Sequence, residues 1–251
     1  RLCNYDEKIY EYLFRLLAQM IQFPHIKSDI ATVIRSIQGA GKDTLYQIME
    51  AVIGQKYCFN TSNVERDIFS RFNTSIEHKI LIALNECSVV QTGRHSQQFK
   101  DFITCKVDKI EEKGFSLRES RSMTRYFIFT NNDFAVGVEQ NDRRFFVIDC
   151  TQPKLTLEES TLIYSSIDDR GCVKSFYDYL MGIDLKGFNF VVNRPLSQYQ
   201  EDLKEASLPI EYLFLTACHG VVTALFLLFQ GMRWLMSRRH GLLSLLICLQ
   251  Y

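Results

Sequence analysis

The stretch SIQGAGKDT, residues 36–44, decides the fold of this chain. The β-branched run in residues 31–37 predicts a buried strand, and the apolar spacing in residues 44–53 predicts a helix that ends at Gly54. Gly39 and Gly41 lack a Cβ, so the backbone between these elements can wrap an anion and point its amides at it. A strand, a glycine loop and a helix in this order predict a phosphate-binding loop. The alternative is a glycine turn before a core helix.

The lysine of this loop is expected to bind a nucleotide. Lys42 would reach the β and γ phosphates as a point charge, and the helix that follows offers its free amides and its positive dipole end. The loop departs from GxxxxGK[ST] because Ser36 replaces the first glycine and Thr44 comes one position late, after Asp43. Either Asp43 or Thr44 is therefore expected to touch Mg²⁺. The predicted nucleotide-binding residues are Gln38, Gly39, Ala40, Gly41, Lys42, Asp43 and Thr44.

Polar residues follow two further predicted strands. Residues 79–84 (KILIAL) run into Asn85 and Glu86, and residues 125–130 (RYFIFT) run into Asn131. Ligands of a parallel sheet gather outside the carboxyl ends of its strands. We therefore expect Glu86 to polarise an attacking water and to join Thr44 or Asp43 at the metal, and Asn131 to contact the γ phosphate. Polar caps on buried strands would explain the same residues without a function.

Two adjacent arginines precede a fourth predicted strand, residues 144–149. Arg143 and Arg144 follow Asp142, and one of them is expected to act as a finger inserted into the nucleotide of a neighbouring subunit. The alternative is a surface salt bridge with a nearby aspartate, which would contribute little to stability.

Residues 94–125 carry a local net charge of +3, although the whole chain balances 29 Lys and Arg against 29 Asp and Glu. The overall balance excludes nucleic-acid binding driven by bulk charge. Within the basic stretch, Phe99, Phe102 and Phe115 alternate with lysines, a combination that suits phosphate contacts and base stacking. A solvated charged surface is the alternative.

The composition indicates a globular intracellular protein. Of the 251 residues, 47% are hydrophobic and 23% are charged, close to the average for soluble domains. Eight cysteines lie scattered with no CxxC pair, and five histidines are equally dispersed. This spacing disfavours a zinc site and fits a reducing compartment.

The order of these motifs resembles a superfamily 3 helicase domain of viral and phage primase-helicases, similar to AAA+ ATPases. The resemblance covers residues 10–213. It implies an α/β P-loop NTPase fold of AAA+ type, with a mostly parallel sheet flanked by helices, an N-terminal helix and a helical C-terminal appendage. The motifs that carry it are QGAGKDT (38–44), LIALNEC (81–87), FKDFIT (99–104), KIEEKG (109–114), RYFIFTNN (125–132), NDRRFFVID (141–149) and NRPLSQYQEDL (193–203).

The resemblance also implies a function. Superfamily 3 helicases form rings, usually hexameric, that hydrolyse ATP between subunits and pull single-stranded DNA through a central channel. On the matching positions, ATP and Mg²⁺ would bind at Lys42 and Thr44. The catalytic residues implied are Glu86 as the carboxylate, Asn131 as the sensor, and Arg143 or Arg144 as the finger.

The same resemblance implies partners outside this domain. Lys100, Lys109 and Lys113 fall in the stretch that forms a DNA-contacting hairpin in such helicases. Family members usually carry a primase or polymerase module on the N-terminal side. We therefore expect an ATP-dependent DNA helicase of a viral or phage replication protein.

Two rival functions fit the glycine loop. A nucleoside monophosphate kinase uses a similar loop, but Glu86, Asn131 and the paired arginines would have no role in it. A P-loop scaffold that binds nucleotide without hydrolysing it would explain why Ser36, Asp43 and Asn85 all depart from the general motif. Stimulation of hydrolysis by DNA or by a monophosphate would distinguish the helicase from the kinase. Equal single-turnover rates for the parent and Glu86→Gln would favour the scaffold.

The chain divides into four predicted parts: a helical segment (1–30), the ATPase core (31–155), the C-terminal part of the helicase domain (156–211) and an apolar tail (212–251). Residues 212–232 carry no charge, so their length and hydropathy would permit a membrane span. His219, Gly220 and Gln230 lie within this segment, and we expect soluble or non-native behaviour rather than an anchor.

Overall fold

A five-stranded parallel sheet forms the centre of the structure, a computed structural model that describes residues 1–85, 93–132, 142–197 and 199–201. The strand order is β2-β3-β6-β1-β7, and every neighbouring pair is parallel. The predicted parallel α/β sheet with flanking helices is confirmed. The strands of the sheet are β1 (Ala31–Ser36), β2 (Cys58–Thr61), β3 (Leu81–Asn85), β6 (Arg125–Thr130) and β7 (Phe145–Cys150).

Six α-helices accompany the sheet within the described residues. The predicted N-terminal helix is present as α1: Asp6 caps its first amides, and the helix ends one residue before Phe23 and Pro24. Proline has no N–H and restricts the residue before it, which stops the helix there. The helices are α1 (Glu7–Gln22), α2 (Lys42–Ile53), α3 (Val64–Asp67), α4 (Gly93–Thr104), α5 (Leu157–Asp168) and α6 (Arg170–Gly182).

Both faces of the sheet are covered by apolar side chains. One face packs against α1, α2 and α6, where Leu17, Met49 and Leu180 are fully buried. The other face packs against α3 and α4, where Phe99 is fully buried against the sheet. Because the centre of the sheet is buried on both sides, β3 and β6 are mostly apolar runs rather than alternating ones.

A buried arginine attaches α1 to the sheet. The guanidinium of Arg125, the first residue of β6, donates hydrogen bonds to the carbonyls of Phe23 (2.9 Å) and Pro24 (2.6 Å) and to the Gln19 side chain (3.0 Å). Burial lowers the pKa of Arg125 to about 10, so the group stays charged at neutral pH. The chain after α1 is thereby held against the start of β6.

A separate two-stranded hairpin extends between α4 and β6. It consists of β4 (Val107–Ile110) and β5 (Arg118–Arg121), which pair antiparallel with Lys109 opposite Glu119. Its base is held by Lys27, whose ammonium donates to the Phe102 carbonyl at 2.7 Å and the Ser122 hydroxyl at 3.0 Å. Burial of this ammonium lowers the pKa of Lys27.

The chain divides into two units, Arg1–Ser207 and Leu208–Tyr251, and the elements above belong to the first. Among the described residues, no helix has both the length and the hydropathy to cross a bilayer. The apolar tail (212–251) lies outside the described residues, so the membrane question and the predicted division into four parts stay predictions.

Candidate functional site

The glycine loop lies at the carboxyl end of β1 and opens directly into α2. Gly39 and Gly41 adopt φ angles of +85° and +98°, in the left-handed region that side chains with a Cβ rarely occupy. Gly41 is the N-cap of α2, and no side chain caps the helix there. The first amides of α2 therefore have no side-chain acceptor and are available to an anion.

The lysine of the loop reaches a second predicted site residue. Lys42 is only 6% exposed, and its ammonium donates a hydrogen bond to the side-chain oxygen of Asn131. The two residues stand 89 positions apart in the chain. They meet because β1 and β6 are adjacent parallel strands, which end at the same edge of the sheet.

A short turn holds Asn131 at this edge. The hydroxyl of Thr130 accepts a hydrogen bond from the backbone N–H of Asn132 at 3.0 Å, an arrangement that closes a tight turn after the strand. Thr130 is fully buried. The turn therefore presents Asn131 to Lys42 from a fixed strand end.

Asn85 is a polar group at this edge that was not among the predicted site residues. It ends β3 next to β6 and donates a hydrogen bond to the Asn60 side-chain oxygen at 3.0 Å. Its own side-chain oxygen is buried and has no hydrogen-bond partner among the described residues. A buried acceptor without a partner is costly, so this oxygen is suited to a bound water or ligand.

The residues predicted to contact the metal occupy different environments. Thr44 is 7% exposed in the first turn of α2, whereas Asp43 is exposed. Glu86, the predicted catalytic carboxylate, follows β3 directly but lies outside the described residues. No group of three or more His, Cys, Asp or Glu side chains could hold a metal within the described ranges.

Residues 153–155, here called the strap, follow β7 and lie against the glycine loop. The N–H of Leu155 donates to the Gly39 carbonyl at 2.9 Å. The Arg1 guanidinium holds the strap from outside, with hydrogen bonds to the carbonyls of Pro153 (2.6 Å) and Lys154 (2.9 Å). Strap and loop are neighbours because β7 and β1 end in register at the same edge.

The paired arginines lie at the opposite edge of the sheet. Arg143 and Arg144 precede β7, and the Arg144 carbonyl accepts a hydrogen bond from Ala31 at the start of β1. Arg143 is exposed, and Arg144 stands 3.9 Å from the Asp142 carboxylate. Because the start of β7 and Lys42 lie at opposite edges of the sheet, these arginines could contact a nucleotide only if it were bound to a neighbouring copy of the chain.

Lys100 is a correction to the predicted DNA-contacting set. It lies on α4 rather than on the hairpin, is 1% exposed, and pairs with the buried Asp142 carboxylate at 3.4 Å. Phe99 is equally buried in the core. An ammonium enclosed in this way is not accessible to a DNA phosphate, so the expectations for Lys100 and for stacking by Phe99 are wrong for this structure.

The hairpin itself presents the other predicted lysines to solvent. Lys109 on β4 and Lys113 in the connecting turn are exposed. Between the strands, Phe115 is 68% exposed and Leu117 is 59% exposed. Exposed apolar side chains beside lysines are suited to unstacked bases on a phosphate backbone. The predicted combination of lysines and exposed apolar side chains is therefore present in the hairpin, although Lys100 is not part of it.

Comparison with known proteins gives the relationship of this chain. Residues 34–144 match the model of a family of unknown function, DUF5906. The DNA Primase-polymerase of Nitratiruptor phage NrS-1 is 27% identical over 188 residues, which are 72% of this chain and 25% of that protein. This chain is similar to a phage primase-polymerase. It spans about a quarter of the length of that relative.

Solved structures support the same relationship at the level of the fold. The apo structure of the NrS-1 C-terminal region superposes with a TM-score of 0.70 at 24% identity, over 83% of this chain and 50% of that chain. The A form of the same region gives a TM-score of 0.68 at 24% identity, over 83% and 48%. The similarity thus lies in the C-terminal region of the phage protein.

Proposed function

We propose that this chain is the ATP-hydrolysing, DNA-translocating part of a phage-type replication protein, a helicase of the superfamily 3 kind. The observation that carries the proposal is the contact between Lys42 and Asn131 at the mouth of the glycine loop. It joins the buried lysine of the loop to a polar residue at a strand end, beside the uncapped amides of α2. Such an arrangement favours a ligand with several phosphates.

This arrangement supports the proposed binding of ATP. The amides of residues 39–44 surround the β phosphate, and Lys42 moves from Asn131 to bridge the β and γ phosphates. Asn131 is then free to hydrogen-bond the γ phosphate or the attacking water. Mg²⁺ bound with a nucleotide needs only one or two protein ligands, and the Thr44 hydroxyl is the buried candidate, with Asp43 as the exposed one.

Hydrolysis requires a base, and Glu86 fills this role in the proposal. In the sequence it directly follows Asn85, which ends β3 at the edge of the sheet that carries Asn131. A carboxylate there orients and polarises the water for attack on the γ phosphorus. Asn85 adds an unpaired oxygen that can accept a hydrogen bond from the same water.

The DNA contact is assigned to the hairpin. Lys109 and Lys113 supply phosphate contacts, and Phe115 supplies an exposed ring for stacking. The name of the NrS-1 relative, DNA Primase-polymerase, is consistent with work on a DNA substrate. A primase-polymerase module elsewhere in the full-length protein belongs to the same proposal.

A ring of subunits completes the site. Arg143 and Arg144 lie at the far edge of the sheet from Lys42, so a finger must act on the nucleotide of a neighbouring copy. Arg143 is exposed and suited to this role, whereas Arg144 lies near Asp142. The proposed assembly is a homo-oligomer, a hexamer by resemblance, with single-stranded DNA in its channel.

Steady-state ATP hydrolysis with and without single-stranded DNA tests the proposal. The parent should hydrolyse ATP, DNA should stimulate it, and Lys42→Ala should abolish it by removing the phosphate contact. Lys186→Ala, which changes an exposed lysine after α6, is the matched control and should behave as the parent. Stimulation by a nucleoside monophosphate instead of DNA would indicate a kinase.

One observation favours a non-hydrolysing scaffold as the second candidate. Asn85, an amide, stands at the strand end where ATPases of this type usually place an aspartate. Single-turnover hydrolysis separates the two functions because Glu86→Gln should slow a catalytic site strongly and leave a scaffold unchanged. Equal rates for parent and Glu86→Gln would favour the scaffold.

A further inference from the structure

A second lysine lies against the glycine loop. A Cβ placed on Gly39 would be 3.4 Å from Cγ and 3.5 Å from Cδ of Lys154, the central residue of the strap. The Cβ of Lys154 would lie 3.7 Å from the same position, so the aliphatic part of this side chain lies over Gly39. Its ammonium, two bonds beyond Cδ, can reach a ligand bound at the loop.

The strap holds this lysine in place through its backbone. The N–H of Leu155 donates to the Gly39 carbonyl, and Arg1 holds the carbonyl of Lys154 itself. The Leu155 side chain also approaches Gly41, where an added Cβ would lie only 3.0 Å from Cδ1. Backbone and side chain are thus fitted to both glycines, and the position of Lys154 follows from that fit.

The Lys154 side chain has no polar partner among the described residues. It forms no hydrogen bond or ion pair with the rest of the described chain, and the residue is exposed. Lys42, by contrast, is buried against Asn131. An exposed lysine whose aliphatic carbons lie over the glycine loop, next to the uncapped amides of α2, can offer its cation to an anionic ligand that arrives from solution.

We propose, on the basis of the ATP site at Lys42, that Lys154 supplies a second cationic contact to the phosphates of the nucleotide. The contact comes from the β7 side of the loop, whereas Lys42 and Asn131 act from the β6 side. The nucleotide is thereby held between two lysines, and the strap acts as part of the binding site. Lys154 contributes affinity and is not required for the chemical step.

Equilibrium binding of Mg·ATP to the full 251-residue chain tests this role. Lys154→Ala should weaken binding about tenfold, the change expected for loss of one charge-assisted hydrogen bond. Lys154→Glu should weaken it further, because it places a negative charge beside the phosphates. Lys154→Arg should stay within about threefold of the parent, since it retains the charge, and Lys186→Ala should bind as the parent.

The outcomes separate this role from its alternatives. Equal weakening by Lys154→Ala and Lys154→Glu would assign the effect to packing on Gly39 and overturn the charge contact. If Lys154→Ala and Lys154→Glu both bound ATP as tightly as the parent while Lys42→Ala did not bind it, the role of Lys154 would be overturned and the ATP site would remain supported. A parent that binds no ATP would overturn the ATP site and the role of Lys154 with it.

Discussion

Replacing Lys100 by methionine should destabilise the fold rather than remove a DNA contact. The side chains of Lys100 and Asp142 are 2% and 0% exposed, and they lie 3.4 Å apart, within ion-pair distance. Methionine is close to lysine in volume, so it fills the space but leaves the carboxylate buried without its cation. Removing one partner of a buried pair costs about 3–5 kcal/mol.

The lower end of this range applies here because Asp142 keeps two other contacts. Its carboxylate accepts the backbone N–H of Arg144 at 2.7 Å, and the Arg144 guanidinium stands 3.9 Å away. We expect the free energy of unfolding to fall by about 3 kcal/mol, which for a domain of this size lowers Tm by roughly 6–12 °C. Adding Asp142→Asn removes the unpaired charge and should restore more than half of the loss.

Thermal and urea unfolding of the parent, the single variant and the double variant measure this coupling. Lys109→Met, an exposed lysine on the hairpin, is the control and should leave Tm unchanged while weakening DNA binding. If Lys100→Met were as stable as the parent and bound single-stranded DNA more weakly, the buried ion pair would be refuted. The sequence-based assignment of Lys100 to the DNA contact would then hold.

Three further outcomes follow from the structure. Gly39→Ala should cost about 1–2 kcal/mol through its positive φ and abolish ATP binding in a titration; Gly114→Ala, with φ +87° and open space around it, should carry the strain and spare ATP binding. The Arg118 hydrogen bond lowers the pKa of Glu77, so its stabilising effect is present above the unfolded pKa of about 4.3 and lost as pH falls through the lower folded pKa. Glu77→Gln should therefore reduce the fall in the free energy of unfolding, measured in urea, as the pH is lowered. An unchanged pH dependence would show that this pair contributes no stability. Lys109→Ala should reduce the salt dependence of single-stranded DNA binding by about 0.7 in log–log slope, and an unchanged slope would exclude a phosphate contact.

The strands at the centre of the sheet could be predicted from the sequence because they are buried on both faces. Residues 125–130 and 31–37 are rich in β-branched or aromatic side chains, and the structure has β6 and β1 there. The edge strand β2, residues Cys58–Thr61, was not predicted. It has only four residues and an exposed Asn60, so it carries neither the length nor the apolar run that identifies a strand.

The candidate site divides in the same way. Gly39, Gly41 and Lys42 lie in one short segment between β1 and α2, so the local sequence pattern predicts their position. The position of Asn131 follows from the rule that neighbouring parallel strands end at the same edge of the sheet. The burial of Lys100 depends on Asp142, 42 positions later, and no local signal marks that pairing. The place of Lys154 likewise depends on how the strap crosses Gly39, which only the folded backbone shows.

The most direct measurement of the central claim is a crystal structure of the chain with Mg²⁺ and a non-hydrolysable ATP analogue. The account predicts phosphates enclosed by the amides of residues 39–44, with Lys42 released from Asn131 and bound to the β and γ phosphates. A nucleotide bound elsewhere, with Lys42 still hydrogen-bonded to Asn131, would contradict it.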